Sequence, residues 1–546
     1  MMRKTLVFLF SFLLIFSISF ISVGAESTDP LADGIFTVGM ECGYAPFNWT
    51  TTEETETSQP ISGTNSSYCD GFDVVMATEL AKRLGVELEI KAIEWDGLIP
   101  ALQNNVIDAI IAGMSPTEER KQTINFSDIY YISEQVVILK DDSPYKDALS
   151  VDDFEGASIS AQLGTLQENL IVQLTGAIKA APLPDYPTLV TAVKNNTIDG
   201  FIAEGPVAIQ ILNNNPDLVM ARLTEKGFEL DPSEISIAIG LRKEDTDLLE
   251  RLNDALSEIS EEQRNEWMVE AIYRSSSTGE QKVIPESIWP AIGFLLKEYY
   301  PLFLQGIYYT LIVSLIGTLI GLVLALLITP LKMMKVTKRD STVRRIIKKI
   351  TVFLSTSYVE ILRGTPRIVQ AVIIYYGLSG MNIDLSINLF GFTIRGIIVT
   401  GILIVSINTS AYIIEVLRGS IEAISKGQME AAQSLGMSRF QAMRLIILPQ
   451  ALKNSIPALG NEFVINIKDT SVLSVISVTE LFFMTRRVNA IYYRQTEGFV
   501  ITAIIYFILT FMTTRILYWI TRKIDERKTV SLPTSQSFYN KDGVTA

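Results

Sequence analysis

Beyond residue 295 the sequence returns repeatedly to apolar stretches too long for a water-soluble core, near 303–328, 365–381, 394–415, 456–483 and 499–521. A helix needs about 20 largely apolar residues to cross a bilayer, so these stretches predict an all-α bundle of about five spans. Residues 34–275 read differently, as short β-type runs alternating with helical stretches. Residues 35–40 and 88–93 read as strands, 74–84 and 99–104 as helices, and the Ile-rich 108–114 as a buried strand. That alternation predicts an α/β fold with parallel pairing. A chain of 546 residues is in any case too long for one core.

Charge divides the chain at the same place. Residues 26–285 carry 17 Lys and Arg against 45 Asp and Glu, a net of −28, whereas residues 286–546 carry 27 against 15, a net of +12. An acidic front half argues against nucleic acid as a partner. The basic residues of the back half lie beside apolar stretches, where they set membrane orientation. Residues 332–349 hold eight Lys and Arg with one Asp, and Arg522, Lys523, Arg527 and Lys528 follow the last stretch. Both groups lie inside if the acidic part is outside and there are five spans. Arg486, Arg487 and Arg494 then fall outside, against the rule.

At the start, Arg3 and Lys4 precede an apolar run and the small residues Val23-Gly24-Ala25, the pattern of an export signal over 1–25, cleaved or kept as an anchor. The boundaries expected from here are a binding domain over 26–275, a linker over 276–295, a membrane domain over 296–528 and a cytoplasmic tail over 529–546. The only cysteines, Cys42 and Cys69, bracket a polar segment, 50–68, that reads as a surface insertion. They are either a disulfide, permitted in an exported domain and worth about 3–4 kcal/mol on the chain-entropy model, or two buried thiols. The chain has no His and no Cys cluster, so no metal site is expected.

Between the third and fourth stretches lies EAAQSLGMSRFQAMRLIILPQA, residues 430–451. Glu430-Ala431-Ala432 begins a small-residue helix able to lie close to another protein. Gly436 allows a sharp turn, and Pro449 is expected to stop a second helix. This segment resembles the coupling loop of bacterial ATP-binding-cassette importer permeases. The stretches 358–370 (YVEILRGTPRIVQ) and 461–478 (NEFVINIKDTSVLSVISV) resemble the polar-amino-acid subfamily of those permeases. The resemblance implies a type I importer fold, a permease homodimer in the cytoplasmic membrane, and ATPase subunits docked on the loop. No Gly-x-x-x-x-Gly-Lys-Ser/Thr phosphate loop occurs. ATP and magnesium therefore belong to a separate ATPase chain, and no cofactor is expected in this one.

Residues 34–275 resemble the solute-binding proteins for polar amino acids. The matching stretches include Tyr44-Ala-Pro-Phe47, Gly71-Phe-Asp73, Gly113-Met-Ser-Pro-Thr-Glu-Glu-Arg120, Gln162-Leu-Gly-Thr165 and Ile198-Asp-Gly-Phe-Ile-Ala-Glu204. The resemblance implies a two-lobed periplasmic-binding-protein fold that closes on its ligand by hinge motion. Lobe one is expected over 34–133 with 233–273, and lobe two over 138–230. The chemistry of a free amino acid fits the matched residues. Arg120 offers a guanidinium fork for the carboxylate, with Ser115 and the Gly113 backbone beside it. Glu204, where the family usually has Asp, offers a charge for the ammonium. Tyr44 and Phe72 would sandwich the aliphatic part, and Thr165 would reach the carboxylate on closure. Asp73 reads as a helix N-terminal charge. Glu41 would meet the ligand side chain and suits the cation of arginine or lysine and glutamine's amide equally; with Val75 where the family often has an acid and Gln162 where some members have a base, glutamine or another polar amino acid is expected ahead of arginine.

Glu462 and Asp469 lie seven residues apart in an apolar stretch, so they share a helix face. Carboxylates at bilayer depth normally face a cavity or a partner, which marks them as a second substrate site within the membrane, unless they sit in water at a helix end. Two other functions fit parts of the pattern. An amino-acid-gated channel or receptor would place its pore between the lobes, and here the lobes close before the first long stretch. An enzyme would use Glu41 and Glu204 as acid and base, but no nucleophile–base pair accompanies them.

Overall fold

The computed structural model describes residues 29–526 except 65–66, 231–234, 277–283, 286, 338–339, 382, 384 and 390–391. The expected export signal and cytoplasmic tail lie outside the described residues, as do residues 277–283 and 286 of the expected linker. The chain forms two compact units. The first comprises residues up to 313 with 365–404 and 470–504, the second 314–364, 405–469 and 505 onward.

The first unit contains two α/β lobes. Lobe one is a five-stranded sheet in the order β6 (Glu87–Ala92), β1 (Ile35–Met40), β7 (Ala109–Ile110), β14 (Ser236–Leu241), β8 (Asn125–Ile132). Strand β1 pairs in parallel with β6 and β7, and β14 runs antiparallel to β7 and β8. Five of the six β1 residues are buried, as expected of a central strand covered on both faces. Lobe two repeats the plan in the order β11 (Ile178–Lys179), β10 (Ser158–Ser160), β12 (Gly200–Glu204), β9 (Gln135–Lys140), β13 (Leu218–Ala221). The chain passes from lobe one to lobe two between β8 and β9 and returns between β13 and β14. The parallel pairing of β1 with β6 and β7, and of β10 with β11 and β12, is the kind of pairing the alternating pattern predicts.

Two local expectations change. The strand expected over 108–114 pairs only at Ala109–Ile110, because the chain turns out of the sheet at Gly113 (φ 63°). Residues 50–68 are not a bare surface insertion. They contribute three strands to a small antiparallel sheet ordered β2 (Gly43–Tyr44), β3 (Asn48–Thr51), β5 (Tyr68–Asp70), β4 (Gln59–Pro60). Thr50 lies opposite Cys69 in this sheet, and Cys42 and Cys69 form a disulfide with Cα atoms 5.7 Å apart. The threonines that make the segment look polar are β-branched and suit strands.

Among the described residues, three helices are long and apolar enough to cross a membrane, Ile288–Lys332, Gly396–Glu422 and Gln495–Lys523. The first begins within the stretch expected as linker. The stretch at 365–381 forms the 13-residue helix Arg367–Ser379. The stretch at 456–483 divides: a helix ends at Asp469, Thr470–Ile476 form a 3₁₀ segment, and after Ser477 (φ 61°) the helix Leu481–Tyr492 begins. An unexpected helix, Thr342–Gly364, occupies part of the basic region, and a short hairpin, β15 (Ile387–Leu389) with β16 (Phe392–Ile394), interrupts the helices. In the second unit Asn466 is fully buried, donating from Nδ2 to the hydroxyls of Thr318 and Thr409, each at 2.9 Å.

Candidate functional site: a cleft between two lobes

The cleft is built from loops at the ends of sheet strands. Tyr44 lies in β2 and is held at the cleft by stacking on Phe47, with centroids 5.2 Å apart. Gly113 is the turn out of β7, and a Cβ there would come within 2.8 Å of the Tyr44 ring, so the close approach requires glycine. The helix Phe72–Leu84 carries Asp73 in its first turn. Asp73 does more than complement a helix dipole: it is fully buried and accepts from Asn48 Nδ2 and Tyr130 Oη, each at 2.8 Å, and from the Gly113 backbone. Burial pushes its pKa up to about 6 against the pull of these bonds. Asp73 thus ties the Tyr44 and Gly113 loops together.

Glu41, Tyr44, Gly113, Ser115, Arg120, Thr165 and Glu204 all line one cavity. Phe72 does not. It is fully buried behind the wall, packed on Phe47, Tyr130 and Tyr131, and Tyr186 takes the expected aromatic position, stacked on Tyr44 with centroids 5.5 Å apart. Trp95, Leu166 and Gln167 are further lining residues that sequence reasoning missed.

Arg120 donates from Nη1 to the Ser115 carbonyl (2.8 Å) and from Nη2 to the Gly164 carbonyl (2.9 Å), with its guanidinium 5.2 Å from the centre of the Trp95 ring. Loss of water lowers its pKa to about 10. Its protein partners are carbonyls and an aromatic face, none of which neutralises the charge. Glu204 ends β12, is buried, and accepts from the Tyr44 hydroxyl and, at 3.3 Å, from Gln167 Nε2. Burial raises its pKa to about 8. The pKa of Glu41 also rises to about 8, through desolvation first and then the carboxylates of Glu94 and Asp185, while Arg486 and Arg487 pull it down. The Thr165 hydroxyl donates to the Gln162 carbonyl at 2.7 Å, inside its own loop. Tyr44–Glu204 and Arg120–Gly164 each join one lobe to the other, so the lobes are closed.

The second sequence-predicted site lies in the second unit. The helix Lys426–Ser434 carries Glu430, Ala431 and Ala432, and Gly436 follows it at φ 84°. Met437 N–H donates to the Ala432 carbonyl and Gly436 N–H to that of Gln433, the pairing of a Schellman end. Pro449 does not stop a helix. It sits in the first turn of Leu448–Asp469, directly after the wide π-turn Met443–Ile447, which accommodates the missing N–H. Leu435 and Phe440 project at the turn, 84% and 73% exposed. Glu462 and Asp469 lie on the same helix, Asp469 as its last residue, both half-buried.

Comparison with known proteins agrees with both halves. Residues 36–270 match the bacterial extracellular solute-binding proteins, family 3, and residues 342–526 match the binding-protein-dependent transport system inner membrane component. The glutamine transport system permease protein GlnP of Escherichia coli is 34% identical over 241 residues, 44% of this chain and 95% of GlnP. The chain belongs to the polar-amino-acid ATP-binding-cassette importers, as a fused solute-binding protein and permease. The importer's front half is 33% identical to the arginine-binding extracellular protein ArtP of Bacillus subtilis over 196 residues, 35% of this chain and 72% of ArtP. An arginine-bound amino acid ABC transporter substrate-binding protein from Streptococcus pneumoniae is 27% identical, with 44% of this chain and 96% of that one covered and a TM-score of 0.38. The importer is a membrane protein and a transport component rather than an enzyme; in such systems the ATPase is a separate subunit.

Proposed function

We propose that the importer captures a polar amino acid outside the cytoplasmic membrane and passes it through a permease homodimer driven by ATPase subunits docked at Glu430–Gly436. Glutamine is the favoured substrate and arginine the second. The observation that carries the reading is the presence in one closed cleft of Arg120 on one lobe, held by carbonyls, and the buried Glu204 on the other. Once a bound ammonium ionises Glu204, that is the charge pattern of a zwitterion reversed. Glu41 and Gln162 line the same cavity and are left for the side chain, while Gln167 already donates to Glu204. A Glu41 carboxyl held near neutrality suits an uncharged amide such as glutamine's. The carboxylates of Glu94 and Asp185 near Glu41 favour arginine instead.

The test is a thermal-shift titration of the full-length chain against the twenty amino acids. A ligand present at about 100 times its Kd stabilises by about 2.7 kcal/mol. Stabilisation by glutamine alone fixes the first choice, and stabilisation by arginine alone the second. A chain that responds to none of the twenty refutes amino-acid capture.

A further inference from the structure

The helix Leu481–Tyr492 belongs to the permease half by sequence, yet its charged side chains end on the binding lobes. Arg486 Nη2 lies 2.8 Å from Glu94 Oε2 and 3.0 Å from Asp185 Oδ2. Glu94 belongs to lobe one, at the start of the helix Trp95–Gln103. Asp185 belongs to lobe two, where its other oxygen caps the helix Tyr186–Lys194 by accepting from Thr188 N–H at 2.9 Å. Gln495 Nε2 donates to that same oxygen at 3.0 Å. One nitrogen therefore bridges two carboxylates on opposite sides of the cleft mouth. Each carboxylate directly precedes a residue that lines the cavity, Trp95 and Tyr186.

We propose that Glu94 and Asp185 form the surface by which the permease recognises the closed binding domain, with Arg486 as the residue that reads it. Hinge opening separates the lobes and leaves Arg486 one carboxylate instead of two. Closure brings two like charges together, which is unfavourable without a cation between them. Docking onto Arg486 and closure on ligand therefore favour each other, and each strengthens the other by the same factor. The neighbouring Arg487 supports the seat: it is buried, stands 4.8 Å from the centre of the Phe483 ring, and donates to Thr50 Oγ1 at 3.4 Å. Arg486 and Arg487 are two of the residues that break the positive-inside pattern, and these contacts explain their place outside.

This inference rests on the import reading, and its test separates the two. In the full-length importer with its ATPase in lipid nanodiscs, Arg486→Gln should lower ligand-stimulated ATP hydrolysis at least about tenfold, the ratio equivalent to about 1.4 kcal/mol, and weaken amino-acid binding by no more than that same factor, the share that docking lends to closure. Glu94→Gln and Asp185→Asn should each reduce stimulation, and Asn keeps the helix cap. Added to Arg486→Gln, neither should cost more, because contacts in one network are not additive. Wild-type stimulation in Arg486→Gln, or full additivity, overturns the proposal; so does loss of amino-acid binding itself, which would place Arg486 in the ligand site. Amide exchange over Trp95–Gln103 and Tyr186–Lys194, compared between wild type and Arg486→Gln without any amino acid, reads the contact independently of substrate. Faster exchange in the variant is expected, and identical protection overturns the proposal even if the import reading fails.

Discussion

A guanidinium whose protein partners are two carbonyls and a ring keeps its charge unneutralised, and that defines what Arg120 awaits. Arg120→Ala is expected to weaken amino-acid binding by about 2–5 kcal/mol, the range for removing one partner of a buried charge pair. Arg120→Lys should recover little of it, because an ammonium cannot reproduce the two-pronged geometry. Calorimetric titration of either variant within about threefold of wild type, less than the tenfold that about 1.4 kcal/mol gives, would remove Arg120 from the carboxylate role. The acids of the cleft predict a pH effect of definite sign. Glu41 and Glu204 stand near pKa 8 in the closed cleft, against 4.5 for a free carboxyl. The closed, empty form therefore holds more protons than the open one. Closure without ligand is favoured below about pH 4.5, and the advantage is lost as pH rises through about 8. A bound ammonium reverses the balance at Glu204 by stabilising its charge. Fluorophores on the two lobes should report an empty cleft that opens with rising pH and a loaded one that stays shut. An empty-cleft signal that is flat between about pH 5 and about pH 8.5 contradicts the assignment. Which residues meet in the cleft was only partly legible in the sequence. Arg120, Tyr44 and Glu204 sit in motifs, whereas Trp95 and Tyr186 arrive by lobe closure, and no local pattern marks them. Phe72 was misplaced for the related reason that adjacency to Asp73 says nothing about which side of the wall a ring occupies.

At the scale of elements, the turn at Gly436 is the feature whose geometry the sequence dictated most directly. Its φ of 84° is left-handed, and open space surrounds the position of an added Cβ. The cost of Gly436→Val is therefore conformational rather than steric crowding, about 1–3 kcal/mol for a branched residue held there. Global stability should fall by no more than that amount, since the turn is exposed and packs against nothing at the added Cβ. Binding of an amino acid should be unaffected, while co-purification of the ATPase and transport should both fall. Undiminished co-purification would mean that Leu435 and Phe440 dock nothing. The helix Thr342–Gly364 was hidden by its basic residues. Its apolar side chains recur at Val343, Ile346, Ile347, Ile350 and Leu354, a helical stripe whose members are exposed. Pro449 misled in the opposite sense, because a proline ends a helix only when the preceding backbone cannot widen, and here a π-turn provides that widening.

For the whole molecule, fusion changes what docking must supply. A binding domain tethered to its permease meets it at an effective concentration that reaches about the millimolar range for a short linker. The Arg486 contact then needs selectivity for the closed form more than raw affinity. The same single-chain design makes the arrangement about the membrane directly measurable. The acidic domain, with its Cys42–Cys69 disulfide, is expected outside, and the Lys426–Gly436 turn inside. Both native cysteines are in that disulfide, so an introduced thiol is labelled without background. Val172 and Phe440 are 75% and 73% exposed, one in lobe two and the other beside the docking turn. A membrane-impermeant maleimide added to intact cells should label Val172→Cys and leave Phe440→Cys untouched. After permeabilisation both should react, because accessibility no longer depends on the side of the membrane. Labelling of Phe440→Cys in intact cells would place the docking turn outside, where no ATP-driven subunit could reach it. Failure to label Val172→Cys would place the cleft inside, where it could not capture an external amino acid. The positive-inside pattern of residues 332–349 makes the first outcome the expected one, since its eight basic residues resist translocation.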